Sequence, residues 1–196
     1  MKSARIGFRR WSKDDLPLAR EFWGDIEVTR FFGGPFSDEE ISQRLEREIT
    51  RMNTQQFQYW PIYLLADNQH VGCCGLRPYK LECDIHKLGF HWRPRYWGQR
   101  LALESARAVI DVAFKAIGAN GLSADHHPEN AASKKVLEKL GFRYTRNEFF
   151  AALGTDILLL FADRIARHSR ARQCERRIFR RARRRCWRGW WRVERQ

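Results

Sequence analysis

Apolar and polar residues change their period several times along the chain, and each change marks an element. Residues 5–11, RIGFRRW, alternate as a strand does. Ser12 followed by Asp15 reads as a helix start with an acidic partner, and that helix is expected to run to about Trp23. FFGGPFS is a loop, after which Ser37 and Glu40 repeat the same start signal. Ile41, Leu45, Ile49 and Met52 then mark one face of a second helix. QYWPIYLLAD and VGCCGLRPY, joined through DNQH, predict a hairpin. In DIHKLGFHW, Leu88, Phe90 and Trp92 share one face of a strand while Lys87, Gly89 and His91 share the other. A long helix follows, with Ala102, Ala106, Val109, Ile110, Ala113, Phe114 and Ile117 as its buried face. GLSADHH is a short strand. PENAASKKVLEKLGF is a helix capped by Asn130, with Ala132, Val136, Leu137 and Leu140 as its core face and Gly141 at its end. FRYTRNEFF and TDILLLFAD are two more strands. The order β-α-α-β-β-β-α-β-α-β-β predicts an α+β fold, a mixed sheet with helices packed on it.

Composition narrows this picture. A chain of 196 residues, 43% of them hydrophobic, can bury one proper core. It contains no apolar run long enough for a transmembrane helix, and MKSARIGFRRWSKDD has no apolar segment of a signal peptide, so a cytoplasmic protein is expected. Cys73, Cys74, Cys83, Cys174 and Cys186 are odd in number and form no C-x-x-C pair, which predicts reduced thiols. His126 and His127 are adjacent, not one helical turn apart, and no bound metal is expected. The net charge of +14 is concentrated: residues 164–196 hold fourteen arginines against Glu175 and Glu194, leaving +2 for residues 1–163. Two regions follow, a near-neutral domain 1–163 and a basic tail 164–196. Trp187, Trp190 and Trp191 interleave with the tail's arginines. That mixture suits contact with a nucleic acid or another polyanion, and equally an extension without a dedicated function.

The chemistry concentrates where the strand DIHKLGFHW passes through RYWGQRLALE into the long helix. The first amides of a helix have no partner within it, and the helix dipole adds positive charge. Such a turn can hold a phosphate. Gly98 would let the backbone come close to it, and Arg100 brings a full positive charge. Alone, this turn also suits plain packing. A second motif, NAASKKVLEKLGF, follows about thirty residues later, with Asn130 and Ser133 at a helix start.

Together, YWGQ-x-LALE and N-x-x-S-x-x-VLEKLGF resemble the GNAT superfamily of acyl-CoA-dependent N-acyltransferases, and within it the branch of ribosomal-protein N-terminal alanine acetyltransferases. The resemblance spans residues 5 to about 162 and implies a mixed, mostly antiparallel central sheet of about seven strands flanked by helices. It implies acetyl-CoA as co-substrate, with its pantetheine arm along the strand ending at Trp92. The backbone of Trp97, Gly98, Gln99, Arg100, Leu101 and Ala102 would hold the pyrophosphate, and Asn130 would contact the same molecule. The amine acceptor, a protein N-terminus or a small amine such as an antibiotic or polyamine, would attack the thioester in a ternary complex, in a monomer or a homodimer.

Three positions depart from the family pattern. Arg100 stands for a usual glycine, which a negative φ would accommodate. Lys87 stands for a frequent acidic residue. Leu137 stands for a frequent tyrosine acid, a role the resemblance then passes to Ser133, which could equally be a capping serine. His91 is a candidate general base, with Asp84, Glu82, Glu27 or a water chain as alternatives. Trp23, Phe31, Phe32 and Phe36 are expected either as walls of the acceptor pocket or as core. The rival to an enzyme is a non-catalytic scaffold whose arginine-rich tail binds nucleic acid.

Overall fold

The computed structural model describes residues 1–151 and 153–163. The basic tail expected over 164–196 lies outside the described residues. Among the described residues, seven strands form one sheet: β1 (Ile6–Phe8), β2 (Tyr59–Leu64), β3 (His70–Lys80), β4 (Ile85–Trp92), β5 (Gly121–His126), β6 (Arg143–Phe150) and β7 (Thr155–Asp163). Their order is β1-β2-β3-β4-β5-β7-β6, antiparallel throughout except for the parallel pair β4–β5. The helices are α1 (Leu16–Trp23), α2 (Ile26–Thr29), α3 (Asp38–Gln55), α4 (Leu101–Val112) and α5 (Ala131–Lys139). No described helix is long and apolar enough to cross a membrane.

Local chemistry explains where the helices begin. At α3, Glu40 N–H donates to Ser37 Oγ and Ser37 N–H donates to the Glu40 carboxylate at 2.8 Å, a closed capping box. Ser12 and Asp15 form the same box around one 3-10 turn, Lys13–Asp15, which leads into α1. The short helix α2 was not expected. Asp25 caps it by accepting from Glu27 N–H at 2.8 Å, and four residues are too few to show a period.

The alternation read in DIHKLGFHW sorts the sheet's two faces. Leu88 and Trp92 join Leu76, Leu122 and Val109 in the larger core, which α4 and α5 cover. Tyr59 and Cys73 face the other way, into a smaller core with Phe22, Trp23, Ile41 and Leu45 from α1 and α3. Each fully buried leucine contributes about 1.5–3 kcal/mol of hydrophobic stabilisation.

Several sequence expectations are corrected. The first strand is only Ile6–Phe8. On α4 the expected face does pack on the larger core, Ala106, Val109 and Ala113 fully buried and Ala102, Ile110, Phe114 and Ile117 half-buried against it. Leu101 and Ser105 belong to it as well, and its last turn, Ala113–Ile117, is a π turn. Ala132, read as core, is exposed. Cys73 and Cys74 are free buried thiols.

The feature that positions the site is a gap in the sheet. β4 and β5 pair only at Ile85–Gly121, His86–Leu122 and Lys87–Ser123. β4 continues to Trp92 and β5 to His126, so the β5-facing edge of Leu88–Trp92 has no strand partner among the described residues. Lys87 and Asp125 close the start of the gap with an ion pair of 2.9 Å.

Candidate functional site

A cavity of about 310 Å³ opens where β4 and β5 diverge. Of the residues singled out in the sequence, His91, Trp92, Trp97, Gly98, Arg100, Leu101, Ala102, Asn130 and Ser133 all line it. Gln99 does not: its side-chain amide donates to Arg95 O at 3.2 Å, and its carbonyl accepts from Arg5 at 3.0 Å. Ala132 and Val136 also line the cavity, so the exposed Ala132 faces the cleft.

The turn between β4 and α4 presents its backbone. Trp97 N–H donates to Pro94 O and Glu104 N–H to Arg100 O, both near 3 Å. Between them, the amides of residues 98–103 donate to no backbone carbonyl among the described residues. Gly98 has φ +76°, a conformation that disfavours a side chain, and a Cβ there would meet nothing within 4 Å, so the space above it is open. Arg100 has φ +62° and ψ +13°, which corrects the expectation of a negative φ. It occupies the left-handed region in which a glycine would rest without strain, at a cost of about 1 kcal/mol.

Asn130 has two groups and one intramolecular task. Its Oδ1 accepts from Ser133 N–H at 3.0 Å, capping α5, and its amide nitrogen remains to donate. The Ser133 backbone thus takes the cap, while its side chain lies on the cavity wall. Trp92 adds a buried indole N–H with no partner.

Acetyl-CoA, implied by the resemblance, can be tested against these groups. An extended amide-bearing arm requires an unpaired strand edge, which Leu88–Trp92 provides. A pyrophosphate requires several convergent donors, which the amides of 98–103 provide. The residues present fit the molecule.

The side of the cavity lined by His91 and Phe32 differs in chemistry. His91 is buried, stacked on Phe32 with centroids 4.1 Å apart, and meets the edge of Tyr59 at 5.8 Å. Burial, together with the charges of Arg44 and Arg77, holds its pKa well below the ordinary 6.5, which disfavours proton acceptance. Arg44 on α3 is only 8% exposed and places Nη2 3.5 Å from His91 Nδ1. Burial first, and then Arg77, pushes the Arg44 pKa down to about 10. Glu48, 1% exposed, accepts from Tyr59 N–H at 2.8 Å and pairs with Arg51 at 2.9 Å and Arg77 at 3.5 Å.

Of the other base candidates, Glu27 lines the cavity, whereas Asp84 and Glu82 lie at the opposite end of β4. Phe31 and Phe32 line the cavity; Trp23 is fully buried and Phe36 packs on the smaller core. Phe31 also stacks on His127 beyond β5 at 5.2 Å, so the segment after α2 spans the gap. Sequence reasoning missed Arg44, whose only signal was an arginine one residue before Leu45 in an apolar stripe.

A family model described as an acetyltransferase (GNAT) domain matches residues 5–143. The uncharacterized N-acetyltransferase p20 of Bacillus licheniformis is 26% identical over 141 residues, covering 71% of this chain and 79% of that protein. Among solved structures, an acetyltransferase from Agrobacterium tumefaciens str. C58 is similar with a TM-score of 0.72 at 20% identity, over 84% of this chain and 94% of that one. The spermidine N-acetyltransferase from Vibrio cholerae, in complex with CoA and spermine, is similar with a TM-score of 0.68 at 14% identity, over 82% of this chain and 96% of that one.

Proposed function

The chain belongs to the acetyltransferase (GNAT) family, an acyltransferase that uses acetyl-CoA, and we propose that it moves the acetyl group to a primary amine by direct transfer in a ternary complex. The observation that carries this reading is the single cavity that joins an unpaired β4 edge, the free amides of the turn, and Ser133. In this reading the pyrophosphate lies against the amides of 98–102 and the Asn130 amide donates to the same molecule. The amine enters from the side of Phe32 and His91. Its nitrogen attacks the thioester carbonyl carbon, the C–S bond breaks, and the Ser133 hydroxyl delivers a proton to the departing thiolate. The proton lost by nitrogen leaves through water.

The acceptor is a protein N-terminus or a small amine; spermine, bound by the V. cholerae relative, belongs on the test panel. The test is acetyl-CoA-dependent release of free thiol across amino-terminal peptides, polyamines and aminoglycosides. Thiol release with at least one amine, and a matching acetylated product by mass, is expected. No product with any of them overturns the reading. For residues 164–196 we propose polyanion contact: arginine with interleaved tryptophan suits phosphate pairing and base stacking. RNA affinity that falls steeply with salt, and is lost when these residues are deleted, is the expected result.

A further inference from the structure

We infer that His91 acts as a neutral hydrogen-bond donor to the thioester oxygen, and that Arg44 is the positioning residue that holds it in that form. This rests on the acetyl-transfer reading above. A guanidinium has only donors. A hydrogen bond from Arg44 Nη2 to His91 Nδ1, 3.5 Å away, needs an unprotonated Nδ1, which puts the ring proton on Nε2. The ring is held in place by Phe32 on its face and Tyr59 at its edge. It lines the cavity, on the strand whose unpaired edge would carry the acyl arm.

Arg44 is held just as firmly, with its guanidinium 4.6 Å from the Trp23 ring centre and 5.4 Å from that of Phe36. It forms no ion pair with a carboxylate among the described residues, and its Nε has no partner. The nearest carboxylate, Glu48 one turn further along α3, offsets part of the Arg44 charge but is itself engaged by Arg51 and Arg77, and a buried cation so incompletely paired is costly unless a negative charge comes to it. A histidine that serves as base is commonly backed by a carboxylate, which stabilises the imidazolium. Here a cation stands behind the ring, with Arg77 on β3 as a second positive charge and neutral Cys73 and Tyr59 alongside. That arrangement favours the neutral ring and strengthens the Nε2–H as a donor.

The step can be written in full. The amine lone pair forms the C–N bond, and the carbonyl π electrons move to oxygen. The resulting oxyanion accepts from His91 Nε2–H, with the Arg44 charge behind it. The oxyanion then re-forms the carbonyl and expels the CoA thiolate, which takes a proton; nitrogen loses one. The products are an amide and free CoA, and His91 ends with the proton it began with.

Two substitutions separate donor from base. Glutamine at position 91 can donate but cannot accept a proton at neutral pH; alanine can do neither. With any amine that the wild type acetylates, His91→Ala is expected to lower kcat about 100-fold, the usual effect of removing one such donor. His91→Gln should stay within about tenfold of wild type, with the KM for acetyl-CoA unchanged in both. His91→Gln as inactive as His91→Ala overturns the inference. The tautomer is a second readout that needs no activity. Nitrogen-15 NMR of the full chain should find the His91 proton on Nε2 and the ring neutral from pH 5.5 to 8, flags that follow from a lowered pKa. Arg44→Lys should keep this signature. A ring protonated on Nδ1 overturns the inference even if transfer proceeds. Failure of the wild type to acetylate any amine would instead count against the transfer reading, leaving the tautomer measurement to decide on Arg44 and His91.

Discussion

On one face of the sheet, α4 and α5 cover Leu76, Leu88 and Leu122 with an almost wholly apolar layer; on the other, α1 and α3 cover Tyr59 and Cys73 with Arg44, Glu48 and Gln58 buried among them. The first face is held by area, which tolerates small shifts. The second is held by matched charges and hydrogen bonds, which do not. The turn side of the cleft is made mainly of backbone, a strand edge and a turn's amides, whereas the His91 side is made of side chains brought together across long stretches of sequence. In the transfer reading proposed above, the first would hold acetyl-CoA and the second would receive the acceptor.

The contrast is sharpest at two members buried to the same depth, Glu48 and Leu88. Glu48→Ala would leave Arg51, Arg77 and the Tyr59 N–H without their common acceptor, and should cost about 3–5 kcal/mol in urea unfolding. Leu88→Ala, at equal depth on the other face, should cost about 2–5 kcal/mol through its cavity alone. Combining Glu48→Ala with the removal of Arg77, as Arg77→Met, should recover part of the first loss, because only Arg51 and the Tyr59 N–H then lack that partner. No neutralising change can recover the second. A Glu48→Ala cost under 1 kcal/mol would dissolve the distinction.

Acid should act mainly on the polar face. Burial is the first cause that lowers the pKa of both His70, to about 3, and His91. Below 6.5 the unfolded chain takes up protons that the folded chain refuses, so stability present at neutral pH is lost as the pH falls. At pH 5 His70 alone costs about 2 kcal/mol and His91 acts in the same direction, visible as a falling melting temperature between pH 7 and 5. A melting temperature that is flat over this interval would contradict the burial of these rings.

The turn side of the cleft should answer differently. Asn130→Asp keeps the α5 cap but replaces the donating amide with a negative oxygen. It should weaken acetyl-CoA about tenfold with little change in melting temperature. Asn130→Ala should add a loss of about 1 kcal/mol of stability from the missing cap. Arg100→Gly is the smallest and most divided case. Relief of the left-handed conformation should stabilise the fold by about 1 kcal/mol, while loss of the charge weakens acetyl-CoA about threefold. Unchanged affinity would leave the backbone amides alone as the phosphate ligands.

The same division governs what could be read from the sequence. The strand alternation in DIHKLGFHW, the capping boxes at Ser12 and Ser37, and the end of α5 at Gly141 depend on neighbours within a few residues, and each is found where the sequence puts it. The turn between β4 and α4 and the Asn130 cap were legible for the same reason. Arg100 was misjudged because its φ follows from how the turn meets α4, which its residue type does not specify. Arg44 escaped notice because its partner His91 lies forty-seven positions away, on another element. Ala132 looked like core by period, but the gap between β4 and β5 removes the neighbour that would have buried it.

The central claim is that the gap between β4 and β5 is an acetyl-CoA site. Its most direct test is calorimetric titration of the purified full-length protein with acetyl-CoA. The account predicts saturable one-to-one binding, reduced in Asn130→Asp, with a melting temperature that rises with ligand concentration as binding to the folded state requires. Absence of binding at millimolar acetyl-CoA, or binding indifferent to Asn130→Asp and Arg100→Gly alike, would contradict it.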